Sequence, residues 1–287
     1  MKKKISKAIF PVAGYGTRFL PATKSIPKEM LTVLDRPIIE WSVTEAFKSG
    51  IEQIIFVLSS KKSSILEHFD RSMLLEDILK KKNKKKELFS IKSQTEFGDI
   101  TSVMQTEPKG LGHAIWCARK LIKDEKFAVI LPDDIIQSKI PVLKQMISLE
   151  KKIGGSILAL EEVPKKETFK YGIVEIKKSI NNYFLIKDLV EKPEPDKAPS
   201  NLSIIGRYIL EDKVFNFLDK QKIGKGGEIQ LTDAIKSISS KSKIFGYKFN
   251  GIRYDCGFKL GFIKANLGFA LEDDEINEEL KKYLREL

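Results

Sequence analysis

Residues 7–37 read KAIFPVAGYGTRFLPATKSIPKEMLTVLDRP, and this stretch predicts how the chain begins to fold. It opens with an apolar run over residues 8–13, which is typical of a buried β-strand. The run ends in a turn where Gly14 and Gly16 flank one tyrosine. Glycine adopts φ > 0 easily and has no side chain, so backbone amides in such a turn can converge on phosphate oxygens. We therefore predict a first strand that leads into a phosphate-binding loop.

The residues after this turn favour a ligand site. A glycine turn alone is as consistent with helix capping as with ligand binding. Here Arg18 adds a guanidinium suited to a polyphosphate, and Lys24 and Lys28 add mobile point charges. Pro21 and Pro27 stiffen the loop that carries these cations. The combination favours a binding site for a polyphosphate.

A dinucleotide-dependent oxidoreductase is the first alternative to consider. It would share the opening strand–turn–helix unit, but its fingerprint G-x-G-x-x-G fails because Phe19 occupies the third glycine position. The acidic residue expected about 20 positions further on is also not placed at the end of a second strand. The pattern is therefore poor evidence for a dinucleotide cofactor.

The rest of the chain alternates apolar runs with amphipathic segments, which predicts an α/β fold with a parallel sheet and right-handed crossovers. Further strands are predicted over residues 53–59, 101–105, 127–131, 155–160, 183–190, 202–209 and 244–249. Helices are predicted over residues 37–50, 63–82, 111–122, 214–218, 228–238 and 272–287. Residues 170–193 form shorter strands, which we interpret as a subdomain laid across the main sheet.

Composition places the chain among cytoplasmic globular proteins. Its 287 residues are 42% hydrophobic, and no apolar run approaches the roughly 20 residues that span a bilayer. Residues 1–4 imitate the start of a signal peptide, but Lys7 and Arg18 interrupt the apolar segment after them. Cys117 and Cys256 lie far apart and indicate no disulfide framework.

The net charge of +12 raises the alternative of a nucleic-acid-binding protein. Only seven of the 51 cations are arginine, the residue on which specific DNA readers rely. Residues 80–86, KKKNKKK, form the densest cluster, and they are not interleaved with the aromatics that single-strand binders use. We therefore predict a solvated run there, with neither nucleic acid nor a membrane as partner.

Carboxylates come directly after the strand predicted over residues 127–131. Asp133 and Asp134 would point over the sheet edge that carries the glycine loop, although a turn with capping aspartates is the alternative. Mg²⁺ typically takes one or two carboxylates together with phosphate oxygens and water. Asp255 lies 122 positions after Asp133, so only the fold can bring the two together. With just His68 and His113 in the chain, a histidine base or zinc site is poorly supported.

The patterns A-G-x-G-T-R-x-x-P-x-T, P-K-x-M-L and D-x-P-I resemble the signature of sugar-1-phosphate nucleotidylyltransferases. The later stretches LGHA, LPDD, YGIV, VEKP, GRYIL, GGEIQLTDA and YDCGFKLGF occur in the family's order and are similar to members that use UTP and glucose 1-phosphate. The resemblance runs from Lys7 to about Ala270. It implies that UTP and glucose 1-phosphate give UDP-glucose and pyrophosphate, with a thymidylyl- or cytidylyltransferase as the related alternative.

The resemblance also implies an architecture and a cofactor. It implies one catalytic domain over residues 1–287, with a Rossmann-like fold and a mixed, mostly parallel central sheet flanked by helices. Residues 165–205 would form a small sugar-binding β subdomain, and residues 259–287 a C-terminal helical arm. The cofactor would be Mg²⁺, and the protein would assemble as a homodimer or homotetramer.

Finally, the resemblance assigns roles to individual residues. On the nucleotide side these are Ala13, Gly14 and Gly16 in the glycine loop, Glu29 near the nucleoside, Gln105 and Gly110 at the uracil edge, and Arg18 and Lys28 at the triphosphate. On the sugar side they are Gly172, Glu191 and Asp134 at glucose hydroxyls and Lys192 at its phosphate. Mg²⁺ would be bound by Asp133 and Asp255. Without the resemblance, an exposed Glu–Lys pair such as Glu191 and Lys192 is usually only surface charge.

Overall fold

A computed structural model describes residues 4–95, 98–239 and 242–287, so most of the basic start of the chain lies outside the described residues. The strands are β1 (Lys7–Pro11), β2 (Thr32–Val33), β3 (Arg36–Pro37), β4 (Gln53–Leu58), β5 (Asp99–Met104), β6 (Phe127–Ile130), β7 (Asp134–Gln137), β8 (Ser156–Glu162), β9 (Gly172–Ile180), β10 (Tyr183–Glu191), β11 (Leu202–Leu210), β12 (Ile244–Lys248) and β13 (Ile252–Asp255). The helices are α1 (Ile38–Lys48), α2 (Ser63–Phe69), α3 (Met73–Lys81), α4 (Lys85–Ser93), α5 (Leu111–Cys117), α6 (Val142–Ile153), α7 (Phe215–Leu218), α8 (Leu231–Ile238), α9 (Lys259–Ala270) and α10 (Asn277–Glu286).

Nine strands form one sheet in the order β5-β4-β1-β6-β11-β8-β12-β10-β9. Only β11 and β10 run against the other seven, so the predicted mixed, mostly parallel sheet is confirmed. The strands predicted as a separate subdomain, β9 and β10, are hydrogen-bonded into the edge of this sheet and extend it. Two smaller sheets, β13-β7 and β2-β3, complete the pairing.

Helices cover both faces of the sheet around its central strands, such as β1 and β6, whose residues are largely apolar. Successive side chains of a strand point to opposite faces. In β1, Ile9 packs on the side that carries α5, α7 and α8, whereas Ala8 and Phe10 pack on the side that carries α1, α2 and α6. All three are fully buried. Burial on both faces is what a parallel sheet between two helical layers requires.

The prediction of one helix over residues 63–82 is wrong. The structure has two helices there, because α2 ends at Phe69 and α3 begins at Met73. Asp70 adopts an extended conformation, and its carboxylate accepts a hydrogen bond at 2.8 Å from the backbone amide of Arg71. Such a local bond gives the backbone an alternative to the helical hydrogen bond. The helix therefore breaks there.

Other boundaries also differ from prediction. The helix predicted from residue 228 begins at Leu231, because Gln230 is extended. The helix predicted over residues 111–122 ends at Cys117 and is succeeded by a 3-10 turn over Arg119–Leu121. The sequence pattern did not predict the short strands β2, β3, β7 and β13, which contain two to four residues each.

The lysine-rich run, residues 80–86, is exposed at every position, as predicted. It covers the end of α3, a turn and the start of α4. Lys84 pairs with Glu87 at 2.9 Å, and Lys86 pairs with Glu275. In the described part of the chain, no helix is long and apolar enough to cross a membrane.

Candidate active site

The predicted site residues surround two neighbouring clefts at the carboxyl edge of the sheet, where open α/β sheets bind ligands. The first cleft, of about 560 Å³, lies beyond β1, β4 and β5 and is lined by residues that include Ala13, Tyr15, Lys24, Lys62 and Gln105. The second, of about 520 Å³, is lined by residues that include Arg18, Asp133, Asp134, Gly172, Glu191, Lys192 and Asp255. The residues predicted for the base line the first cleft and those predicted for the sugar line the second, which also contains Arg18, predicted for the triphosphate.

The two glycines of the first loop serve different purposes. A Cβ placed on Gly14 would meet nothing within 4 Å, so no packing contact in the protein requires glycine there. At Gly16 the backbone is left-handed (φ 66°), and a Cβ would lie 3.0 Å from Cβ of Lys28. Thr23 fixes this turn by donating a hydrogen bond to the Gly16 carbonyl at 2.8 Å. Gly14 thus leaves space for a ligand, whereas Gly16 shapes the loop around Lys28.

Lys28 and Asp133 form an ion pair at the second cleft. The Lys28 Nζ lies 2.6 Å from Asp133 Oδ2, and about a quarter of each side chain is exposed. Although burial opposes both charges, the attraction between Lys28 and Asp133 raises the pKa of the ammonium and lowers the pKa of the carboxyl. Both groups are therefore charged at neutral pH. The pair therefore places one cation and one anion beside the second cleft.

Arg18 lies beside this pair. Its guanidinium stacks over the ring of Phe258, with 4.2 Å from Cζ to the ring centroid, and one N–H points at the carbonyl of Gly257 at 3.5 Å. It forms no ion pair with any described residue, so its charge is not neutralised by the protein. The stacked, uncompensated guanidinium is well placed to bind an anionic ligand.

Glu29 and Lys62 form a second, more deeply buried pair below the first cleft. Their Oε2 and Nζ atoms are 2.7 Å apart, and the side chains are 1% and 6% exposed. Burial lowers the pKa of Lys62 in spite of its partner. Sequence reasoning missed Lys62, although it is a lysine that lies just after a buried strand at the predicted ligand edge. The second carboxylate oxygen of Glu29 is buried and has no hydrogen-bond partner among the described residues.

The antiparallel pairing of β7 with β13 brings the distant aspartates together. Asp134 pairs in register with Asp255, and the amide of Cys256 donates to the Asp133 carbonyl at 2.7 Å. A Cβ placed on Gly257 would lie 3.0 Å from Asp255 Oδ1 and 3.3 Å from Asp133 Oδ2. Both carboxylates therefore face the same small space. The absence of a side chain at Gly257 keeps that space open.

Arg253, which sequence reasoning did not select, offsets the negative charge of three carboxylates around the β7–β13 pair. It contacts carboxylate oxygens of Asp134 at 2.6 Å, Glu161 at 3.0 Å and Asp255 at 3.2 Å. Although burial opposes the charge, these carboxylates raise its pKa. Tyr171 donates its hydroxyl hydrogen to Asp255 Oδ2 at 2.9 Å. Together these contacts fix the orientation of the Asp255 carboxylate.

The predicted sugar ligand Asp134 is largely occupied by the protein. Its Oδ2 accepts a hydrogen bond from the Gly206 amide at 2.8 Å, and its Oδ1 accepts one from Arg253 at 2.6 Å. The fully buried Arg207 supports the same loop by donating to the Asp134 carbonyl at 2.8 Å and pairing with Glu45 at 2.7 Å. Only the remaining lone pairs of Asp134 can accept from a sugar hydroxyl.

At the far end of the second cleft, Gly172 and Glu191 are paired in register between β9 and β10. Thr232, another residue that sequence reasoning missed, donates to Glu191 Oε2 at 2.6 Å. The next residue, Lys192, has a left-handed backbone (φ 47°), and its ammonium lies 3.3 Å from Glu191 Oε1. The side chain of Lys192 is 43% exposed. Its ammonium can therefore reorient toward a ligand.

The base-recognition residues predicted for the first cleft also meet. Gln105 is buried at the end of β5, and its side-chain amide lies 3.3 Å from the Gly110 carbonyl. Gly110 needs a positive φ of 98°, and a Cβ there would lie 2.7 Å from the Glu228 side chain. The same Gln105 nitrogen lies 2.9 Å from Nδ1 of His113 on α5.

The donor set fits a hard divalent cation that also binds substrate. Among the described residues, no group of three or more histidine, cysteine, aspartate or glutamate side chains could hold a metal. Asp133 and Asp255 face a common space, and both supply carboxylate oxygens. Two carboxylates with the rest of the shell from phosphate and water is the usual arrangement for Mg²⁺. The residues present are therefore compatible with Mg²⁺ bound together with a polyphosphate.

Comparison with known proteins identifies the family. The sequence model of the nucleotidyl transferase family matches residues 7–270. The chain belongs to the nucleotidyl transferase family. The predicted resemblance is thereby confirmed. The loop with Arg18 and Lys28 and the aspartates Asp133 and Asp255 all lie inside the matched region.

Curated relatives cover this nucleotidyl transferase almost completely. It is 48% identical over 284 residues to UTP–glucose-1-phosphate uridylyltransferase 1 of Staphylococcus saprophyticus, covering 99% of both chains. It is 47% identical over 285 residues to UTP–glucose-1-phosphate uridylyltransferase of Bacillus subtilis, covering 99% of this chain and 98% of the relative.

Solved structures extend the similarity to three dimensions. A UTP-bound UGPase from Acinetobacter baumannii superimposes with a TM-score of 0.90 at 43% identity, covering 99% of each chain. A UDP-glucose pyrophosphorylase complexed with UDP-glucose gives a TM-score of 0.87 at 44% identity and covers 94% of this chain. The predicted nucleotidyltransferase fold is confirmed.

Proposed function

We propose that this nucleotidyl transferase is a uridylyltransferase that makes UDP-glucose and pyrophosphate from UTP and glucose 1-phosphate. One observation carries the proposal: the Lys28–Asp133 pair connects the walls of the two clefts, because Asp133 lines the second cleft with Arg18, and Pro27, next to Lys28, lines the first. Two anionic reactants can approach each other only where positive charge offsets their repulsion. The curated relatives, at 48% and 47% identity over nearly the whole chain, support the choice of UTP and glucose 1-phosphate.

The reaction requires little covalent chemistry from the protein. A phosphate oxygen of glucose 1-phosphate attacks the α-phosphorus of UTP, the bond from that phosphorus to its bridging oxygen breaks, and pyrophosphate leaves. The nucleophile is already ionised at neutral pH, so no general base is needed. Catalysis then consists of positioning and charge stabilisation. This agrees with a site built from lysine, arginine and aspartate.

On the nucleotide side, Ala13 and Gly14 contact the base and ribose through their backbone, and Gln105 and Gly110 contact the uracil edge. Glu29 supports the nucleoside end of the first cleft through its pair with Lys62. The open space above Gly14 and the position of Ala13 and Gln105 in the cleft lining support this assignment.

On the phosphate side, Arg18 and Lys28 bind the triphosphate, with Gly16 holding the loop so that Lys28 reaches the cleft. Asp133 and Asp255 would hold Mg²⁺. When bound, Mg²⁺ would offset the negative charge on the phosphates of the two substrates. Lys28, whose Nζ lies 2.6 Å from Asp133 Oδ2, would sit beside the carboxylates that hold the metal and donate to the phosphates.

On the sugar side, Glu191 and the Gly172 backbone bind glucose hydroxyls, with a secondary contribution from Asp134. Lys192 binds the phosphate of glucose 1-phosphate. The hydrogen bond from Thr232 orients the Glu191 carboxylate. The exposure of Lys192 and its weak, 3.3 Å contact with Glu191 leave its ammonium available.

Lys192→Ala is expected to weaken glucose 1-phosphate selectively. A charge-assisted hydrogen bond is worth about 1.5–3 kcal/mol, which corresponds to a roughly ten- to hundredfold rise in KM for the sugar phosphate. The KM for UTP should change much less. Steady-state kinetics with each substrate varied in turn will check this, with Lys187→Ala as an exposed-lysine control on β10. A rise in the KM for UTP alone would contradict the assignment of Lys192 to glucose 1-phosphate.

The related thymidylyl- and cytidylyltransferase activities are separated from this proposal by a substrate panel. Purified protein with Mg²⁺ is assayed for pyrophosphate release with UTP, dTTP and CTP against glucose 1-phosphate and galactose 1-phosphate. The proposal expects the highest kcat/KM for UTP with glucose 1-phosphate. A higher value for dTTP or CTP would replace it with the corresponding alternative.

The same proposal includes the domain organisation, cellular location and assembly of the enzyme. Residues 1–287 act as one catalytic domain in the cytoplasm, and α9 and α10 serve as an arm for a homodimer or homotetramer. Exposed apolar side chains on α9, with Leu260 63% and Ile263 55% exposed, support a role for that helix in assembly. Light scattering of the purified protein measures the oligomeric state.

A further inference from the structure

The orientation of the Gln105 amide is fixed by two acceptors. The carbonyl of Gly110 can only accept a hydrogen bond, so the atom of Gln105 that lies 3.3 Å away must be the NH₂ nitrogen. That nitrogen also lies 2.9 Å from Nδ1 of His113. Its two hydrogens thus have two partners, and Nδ1 must be an unprotonated acceptor. His113 is therefore neutral, with its hydrogen on Nε2.

His113 is itself held in place. It is 8% exposed, and its ring stacks on Trp116 with centroids 5.6 Å apart and 22° between the planes. Its Nε2 lies 4.0 Å from Sγ of Cys117, a weak acceptor for the remaining hydrogen. The imidazole therefore cannot turn away from Gln105 without losing both contacts.

The surroundings of His113 lower its pKa. Burial is the main cause and the nearby cation of Lys109 adds to it, whereas Glu107 opposes it through its carboxylate and a backbone hydrogen bond. A neutral ring keeps the lone pair of Nδ1 available. The same geometry that requires an acceptor at Nδ1 is thus favoured by the local electrostatics.

This arrangement leaves Oε1 of Gln105 as the part of the amide that a ligand can reach. No described residue donates a hydrogen bond to that oxygen, and it is not among the buried atoms without a partner. Gln105 lines the first cleft. A base bound there must therefore present an N–H to Gln105.

We propose that His113 is a specificity-determining positioning residue, which locks the Gln105 amide so that Oε1 faces the base and selects a pyrimidine with a hydrogen on N3. Uracil has this N3–H, whereas cytosine has a lone pair at N3 that would face Oε1. The inference rests on the proposed function, because it takes the first cleft as the site of the base. Thymine shares the N3–H and would not be excluded by this contact.

The test measures kcat/KM for UTP and for CTP with glucose 1-phosphate, in wild type and in His113→Phe. Phenylalanine keeps an aromatic ring beside Trp116 but removes the acceptor, so the Gln105 amide can rotate. Loss of one neutral hydrogen bond predicts that the UTP-to-CTP ratio falls roughly three- to tenfold. His113→Asn, whose side-chain oxygen can replace Nδ1, should restore the ratio to within about threefold of wild type.

Two controls separate positioning from general damage. The ratio of UTP to 5-methyl-UTP should be the same in wild type and His113→Phe, because the two bases have identical N3–H groups. Cys117→Ala removes only the weak 4.0 Å contact at Nε2 and keeps the Nδ1 acceptor 2.9 Å from Gln105, so the UTP-to-CTP ratio should stay within about threefold of wild type. Thermal unfolding checks that each variant is folded.

The outcomes distinguish this inference from the proposed function. An active, uracil-selective wild type with an unchanged UTP-to-CTP ratio in His113→Phe would overturn the role of His113 alone. A ratio that falls in His113→Phe and is not restored in His113→Asn would also overturn it, because the acceptor would not be what matters. A wild type that uses neither nucleotide would overturn the proposed function and this inference together.

Discussion

Asp133→Asn is expected to lower kcat for UDP-glucose formation by roughly two to four decades. The substitution keeps the size of the side chain but removes the negative charge proposed to hold the metal. It also removes the partner of Lys28, which lies 2.6 Å away. Because about a quarter of each side chain is exposed, water can solvate Lys28 in the variant, and the thermal unfolding midpoint should change little.

The matched control is Asp77→Asn, which makes the same chemical change at an exposed site on α3 and should leave kcat unchanged. Each protein is assayed over a range of Mg²⁺ concentrations and after treatment with EDTA. Near wild-type turnover of Asp133→Asn at saturating Mg²⁺ would contradict the assignment. Full activity of the wild type in EDTA would contradict it equally.

Arg18→Ala is expected to remove several kcal/mol of transition-state stabilisation, which corresponds to a loss of roughly 10²–10⁴-fold in kcat. The guanidinium has no anionic protein partner among the described residues, so its charge is available to the phosphates. Charge builds on pyrophosphate as it leaves, and a preorganised cation acts mainly at that stage. Initial rates at saturating UTP and glucose 1-phosphate measure this effect.

The comparison for Arg18 is the lysine-rich run. Replacing Lys84, Lys85 and Lys86 together by glutamine removes three positive charges from exposed positions. Charges separated by more than a Debye length of roughly 8 Å are largely screened at physiological ionic strength, so turnover should change by less than about threefold. If turnover fell strongly in the lysine triple variant and stayed near wild type in Arg18→Ala, the proposed role of the opening loop would be contradicted.

Much of the fold was predictable because its signals are local. The apolar run before Gly14, the cations after it and the aspartates after β6 all lie at strand ends on one sheet edge, and periodicity alone places them there. The structure brings these residues to two adjoining clefts. The position of Asp133 after a uniformly apolar strand was sufficient to predict that it lies at this edge.

The rest depended on contacts between distant parts of the chain. Arg253 lies on β13, a strand of four residues, and its role depends on pairing with β7 more than a hundred residues earlier. Thr232 is defined by its hydrogen bond to Glu191, 41 positions away. Arg207 appears in sequence as a charged residue within an apolar strand, and only the structure supplies its partner Glu45.

The helix break at Asp70 had a different origin. The apolar pattern of residues 63–82 continues across the break, so periodicity predicts a continuous helix. A single side-chain hydrogen bond to the next amide outweighs that pattern. The spacing of apolar residues does not predict a helix end that depends on one local hydrogen bond.

Tracing the phosphorus of UTP tests the central claim most directly. The protein is incubated with Mg²⁺, glucose 1-phosphate and UTP labelled with ³²P at either the α- or the γ-position, and the products are separated. Transfer of the uridylyl group predicts that α-label appears in UDP-glucose and γ-label in pyrophosphate, each only when glucose 1-phosphate is present. Release of γ-label as inorganic phosphate, or UTP cleavage that does not require the sugar phosphate, would contradict the account.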